Sequence, residues 1–164
     1  MEDLLVQFPS LRRILPAVAA LAVAVFFIRT ASHFAYTPDD AYIYLRTASN
    51  IVQGDGLSFN PGEPSYSVTG PLWALLIAAG TGIGLDPYVA AKGLDLTFAA
   101  IAIMVFQLLV VTVTGDRVLS VVGAVMLTVD AWVLRWAGSG METSLALLLT
   151  IVAFRYVLMG EWLL

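Results

Sequence analysis

Apolar residues in this chain are gathered into long runs set apart by short polar stretches, instead of recurring at the spacing of one helix face. The runs Ile14 to about Ala35, Tyr88 to Thr114, Val118 to Ala137 and Ser144 to Met159 predict four transmembrane helices. A fifth run, Leu72 to Leu85, is about 21 Å long as a helix, against a hydrocarbon core of about 30 Å. It follows Gly70-Pro71 and contains Gly80, Gly82 and Gly84, which predicts a short interfacial or re-entrant helix over 72–85. The first run, preceded by Arg12 and Arg13, has two readings. A small-x-small pattern near Ala31 would fit a cleaved secretory signal, whereas the later spans favour an uncleaved signal-anchor.

Residues 36–70 form a polar external loop with two parts. Thr37-Pro38-Asp39-Asp40 predicts a helix start, with Thr37 as N-cap, Pro38 at the first helical position and Asp40 completing a capping box. The helix should run to about Gln53. Ala41, Tyr44, Leu45, Ala48 and Ile51 recur on one face, with Asp39, Arg46, Asn50 and Gln53 nearer the other, as in a helix lying on a membrane surface. Gly54-Asp55-Gly56 stops it, and Asn60-Pro61-Gly62-Glu63-Pro64 makes a turn.

Composition turns this pattern into a class. With 60% apolar and 12% charged residues and a mean hydropathy of +0.89, the chain reads as an all-α membrane protein. The absence of cysteine excludes disulfides and thiolate chemistry, and a single histidine, His33, excludes a histidine-rich metal site. A net charge of −4 with no basic run excludes nucleic acid as a partner.

Four spans place Glu142 on the same side as Asp39 and Asp40, and five separate them. Lysine and arginine counts tie: Arg12, Arg13, Arg117 and Arg155 lie inside in one case, Arg12, Arg13, Lys92 and Arg135 in the other. Charge depth favours four, because Arg29, Lys92, Asp95, Asp130 and Arg135 then all lie toward the outer ends of their helices. Such a set suggests one outward-opening polar cavity. Alternatively, Lys92 and Asp95, at i and i+3, neutralise each other.

Paired acids at an interface, an arginine farther along the same helix and another acid at a helix mouth suit transfer from an anionic lipid donor. One carboxylate can take the proton of an acceptor hydroxyl. A cation, Arg46 or a bound divalent metal, can offset charge on a departing phosphate. The competing reading is structural: Asp39 and Asp40 complement a helix N-terminus, worth about 0.3–1 kcal/mol, and Glu142 is a first-turn acid. The tyrosines and tryptophans, Tyr36, Tyr42, Tyr44, Trp73, Tyr88, Trp132 and Trp136, read mostly as interface anchors.

Asp39-Asp40-Ala41-Tyr42-Ile43, Arg46, Asn50, Gly54, Gly56-Leu57, Phe59-Asn60-Pro61-Gly62-Glu63 and Pro71-Leu72-Trp73 resemble the first external loop of GT-C type glycosyltransferases. The likeness is closest to the actinobacterial arabinofuranosyltransferase group, and Gly140-Met141-Glu142-Thr143 is similar to its Gly-Leu-Glu-Thr element. The resemblance covers roughly a third of the chain. The run Ser65-Tyr66-Ser67-Val68-Thr69-Gly70 departs from the family pattern, so acceptor contacts there are not carried over.

The resemblance implies a plasma-membrane enzyme, inverting and with an extracytoplasmic site, that moves a sugar from a polyprenyl phosphate to a glycan or lipid acceptor of the cell envelope. It implies Asp40 as base and Asp39 as its partner. Arg46, Asn60 and Glu142 become substrate contacts, and Asp39 and Glu142 candidates for a metal. Family members have eight or more spans, so a missing C-terminal portion is expected to complete the bundle. The alternative from another class is a non-catalytic membrane subunit or transporter fragment using the same charges for assembly.

Overall fold

The structure, a computed structural model, describes residues 9–63 and 68–160. These residues form seven helices and no strand: α1 (Pro9–His33), α2 (Asp39–Gln53), α3 (Pro71–Gly82), α4 (Pro87–Thr114), α5 (Arg117–Val129), α6 (Ala131–Trp136) and α7 (Thr143–Met159). The all-helical expectation holds over them. Among them α4 alone is long and apolar enough to cross a membrane; α3, α5, α7 and Ala17–His33 of α1 are shorter apolar helices. Helix length therefore carries one crossing, not the four expected.

Aspartates set three of the helix starts. Asp86 Oδ1 accepts from the Tyr88 and Val89 amides at 2.9 and 3.3 Å, with Pro87 at the first position of α4. Asp116 Oδ1 does the same for α5, from Val118 and Leu119 at 2.8 and 3.2 Å. The third case corrects the sequence reading. Val118 to Ala137 was expected as one span, but Asp130 caps α6 through the amides of Trp132 and Val133 at 3.0 and 2.9 Å, and its extended backbone separates α6 from α5. Asp130 thus ends one helix and starts another.

The predicted capping box at α2 is also replaced. Pro38 is the N-cap, no side chain caps the helix, and Thr37 Oγ1 donates to Tyr88 Oη at 3.4 Å. Proline fixes its own φ near the value an N-cap needs, so the helix starts one residue later without a hydroxyl. The end falls where expected: Gly54 takes the left-handed conformation, φ 93°, and its amide and its neighbour's close the last turn. The short apolar helix ends at Gly82, not Leu85.

Helix α4 is the spine, packed against α2, α3, α5 and α7, while α1 lies on α5 and α6. Two apolar cores flank it. One joins Tyr44 and Ala48 of α2, Trp73, Ala74, Ile77 and Ala78 of α3, Ala90 and Ala91 of α4 and Leu145 of α7. The other joins Phe26, Ala99, Ile103, Ala124, Leu134 and Ala137. Alanines are five of the nine residues in the first core and three of the six in the second, which lets the backbones approach closely.

Single cysteines can map the topology, since the chain has none of its own. The probes belong at Asn60, Thr143 and Arg117, which are exposed. Cysteine at Asn60 and at Thr143 is expected to react with an impermeant maleimide from outside the cell, and at Arg117 only after permeabilisation. Labelling of position 117 from outside with protection of 143 would place Glu142 on the opposite side from Asp40.

Candidate functional site

The loop after α6, Ala137 to Glu142, is where the chain spends its buried polar groups. Ala137, Gly138, Ser139 and Gly140 are all buried, and a buried loop needs partners for its backbone. Lys92, in the second turn of α4 and 1% exposed, supplies some of them. Its Nζ donates to Phe34 O and Tyr36 O, each at 2.7 Å, and to Gly138 O at 2.6 Å. The rings of Phe34 and Tyr88 flank the ammonium at 5.1 and 4.9 Å. All three ammonium protons thus go to carbonyls at the end of α1 and the end of α6.

Asp95, one turn on and wholly buried, serves the other half of the loop. Its Oδ2 accepts from the Gly140 amide at 3.0 Å and from Ser139 Oγ at 3.3 Å. Trp73 closes the ring, donating from Nε1 to Gly140 O at 2.9 Å. Gly140 has φ +86°, a conformation that disfavours a side chain. Gly138 lies against α1, where an added methyl would meet Thr30 Cγ2 at 3.2 Å. The expected polar cavity is therefore not what Lys92 and Asp95 line, and each bonds the loop instead of only neutralising the other.

The fastened loop delivers Glu142 to the N-cap of α7, yet its carboxylate caps nothing. Oε1 instead accepts from the Tyr44 hydroxyl at 3.0 Å, across 98 residues of sequence. The same oxygen of Tyr44 accepts from the Gly70 amide at 2.9 Å and lies 3.0 Å from Thr69 Oγ1. Burial pushes the Tyr44 phenol up from its ordinary pKa, the Thr69 contact pulls it down, and Glu142 raises it further. The phenol therefore keeps its proton at neutral pH and remains the donor. Glu142 Oε2 is buried and has no hydrogen-bond partner among the described residues.

The other predicted residues are placed less closely. Asp39 and Asp40 occupy the first turn of α2, exposed. Arg46 is exposed, and its Nε donates to Phe59 O at 3.4 Å. Asn50 was assigned to the polar face but is buried, its Nδ2 donating to Ser58 O and Phe59 O at 2.9 Å each. Residues 55–59 are thus braced against α2 by Asn50 and Arg46. Asn60 donates to Glu63 Oε2 at 3.0 Å within its own turn, and no described hydrogen bond joins it to Asp39, Asp40 or Arg46. Asp39 and Glu142 were the metal candidates; among the described residues no three histidine or carboxylate side chains gather where a cation could be held.

Tyr44 and Trp73 correct the reading of the aromatics. They are 3% and 1% exposed, each donating to the 140–142 segment. Trp132, 66% exposed, and Tyr42, 55% exposed, keep the character of surface anchors. Tyr44→Phe keeps the buried ring and removes one oxygen with three partners. We expect a stability loss of about 1–3 kcal/mol, read as a lower unfolding midpoint in detergent. No change would mean that water replaces the hydroxyl. No protein family, curated protein or solved structure matches the chain.

Proposed function

We propose that this chain is the loop-bearing part of a membrane glycosyltransferase that moves a sugar from a polyprenyl phosphate to an acceptor hydroxyl on the extracytoplasmic side of the plasma membrane. The observation that carries the reading is the Tyr44 to Glu142 hydrogen bond. It ties the helix bearing Asp39, Asp40 and Arg46 to the acid of the second loop, so the acids that the motif resemblance groups by function belong to one end of the bundle. In this reading α1, α5 with α6, and α7 cross the bilayer beside α4, the short ones shielded by their neighbours.

The chemistry needs a base beside an anionic leaving group. The Asp40 carboxylate takes the acceptor's hydroxyl proton as that oxygen bonds to the anomeric carbon. The bond from that carbon to the phosphate oxygen breaks, its electron pair leaving with the polyprenyl phosphate. Arg46, whose two Nη groups donate to no described residue, offsets the charge on the phosphate. Asp39 and Glu142 orient the acceptor.

A second reading draws on Lys92 and Asp95, whose side chains serve assembly: a membrane subunit without catalysis. Membranes containing the protein, supplied with radiolabelled polyprenyl-phosphate sugars and envelope acceptors, separate the two. Transfer that depends on Asp40 while protein level does not supports the enzyme; transfer indifferent to Asp40 sinks the assignment.

A further inference from the structure

Among the described residues, Lys92 and Arg135 are the cations lying over aromatic rings, and they differ in what their protons do. Lys92 has spent its protons on carbonyls. Arg135 is exposed and donates no hydrogen bond to any described residue, although its guanidinium carbon lies 4.5 Å from the centre of the Tyr36 ring and 6.0 Å from that of Trp132. Tyr36 is itself fixed. Its carbonyl accepts from Lys92, and its ring meets Trp136 edge-on at 5.8 Å. Arg29 and Arg117, also without side-chain hydrogen bonds to described residues, have no ring beneath them there.

An arginine over a ring is held by its π face, leaving the edge of the fork, with its N–H donors, free to bind two oxygens at once. The group this arrangement fits is a phosphate. Depth identifies its source. Helix α4, 28 residues long, measures about 42 Å against a hydrocarbon core of about 30 Å, so about 6 Å projects at each end when it is centred. Lys92 lies about 8 Å along α4, near the boundary between tails and headgroups. It bonds the carbonyl of Tyr36, whose ring lies under Arg135, so the guanidinium sits at headgroup level. Trp132, 66% exposed beside it, is the aromatic that such a boundary favours.

We propose that Arg135, seated on Tyr36 and Trp132, binds the phosphate of an anionic lipid headgroup. The inference goes beyond the transfer reaction and needs no sugar, so its test is separate from that of the function above.

The test is native mass spectrometry of the full chain in neutral detergent with phosphatidylglycerol, phosphatidylcholine or inorganic phosphate. We expect phosphatidylglycerol to be retained over phosphatidylcholine. Its binding should weaken about tenfold in Arg135→Gln and less in Arg135→Lys, which keeps the charge and loses the fork. Arg117→Gln, whose site begins α5, should bind as the unaltered chain does. Equal binding by Arg135→Gln, or an equal loss in Arg117→Gln, overturns the site. Displacement of the lipid by inorganic phosphate at the same concentration overturns the lipid as its occupant. Should Arg135→Gln fail to insert, brominated phosphatidylglycerol is added to the unaltered chain and to Trp132→Phe. Quenching stronger than that by brominated phosphatidylcholine, and lost with Trp132, supports the site; equal quenching by the two lipids overturns it.

Discussion

Lys92→Met is expected to destabilise the protein by about 3 kcal/mol, a large share of the roughly 5–15 kcal/mol that holds a domain folded. Methionine keeps the length and packing of the side chain but leaves the carbonyls of Tyr36 and Gly138 without this donor, and that of Phe34 with only the Tyr88 hydroxyl at 3.5 Å. Gly138 O is buried and the other two carbonyls are part-buried; an orphaned buried carbonyl costs about 1–3 kcal/mol, partly offset because a charge no longer has to be buried. The comparison is Asp95→Asn, which keeps an oxygen able to accept from Gly140 and Ser139 and should cost about 1 kcal/mol. Unfolding midpoints of the purified proteins in one detergent check both. A Lys92→Met protein as stable as its parent would mean that water satisfies the three carbonyls.

Asp40→Asn is expected to lower transfer by about 10²–10⁴-fold, the usual contribution of a positioned general base. The amide preserves shape and helix-start preference but cannot take a proton. Because Asp40 is exposed at the start of α2 and makes no cap hydrogen bond, the change should leave insertion and unfolding unaltered. A loss of rate would then be chemical. Asp39→Asn should do less harm. Turnover within a few-fold of normal for Asp40→Asn would remove it as the base.

Much of the helix layout was legible because it rests on signals that act locally. The apolar runs gave α4 and α7 to within a residue, Gly54 stopped α2 where a left-handed residue was needed, and the glycines after Leu72 kept α3 short. Asp130 was legible in principle, since an aspartate two and three residues before amides it can reach is a helix start. The unbroken apolar run around it hid that signal.

The loop at 137–142 was not legible. The side chains that fasten it, Lys92, Asp95 and Trp73, meet its backbone at Gly138 O, Gly140 O and the Gly140 amide, groups that every residue carries and no sequence pattern marks. Tyr44 and Trp73 looked like interface anchors because a buried aromatic donor and an exposed one are the same residue. In the candidate site, sequence placed Asp39 and Asp40 at the start of α2. The meeting of Glu142 with that helix required the three-dimensional path.

The fastening of this loop also sets an order of events during synthesis. Lys92 leaves the ribosome 46 residues before Gly138, an interval of roughly 2–9 s at usual elongation rates. Through those seconds the ammonium has partners only on the already made segment, Phe34 and Tyr36, and Asp95 awaits Ser139 and Gly140. Helix α4 is therefore complete while its ammonium has two of its three carbonyls and its carboxylate is still waiting. The start of the helix thus stays an open site until the nascent chain brings the loop back to it.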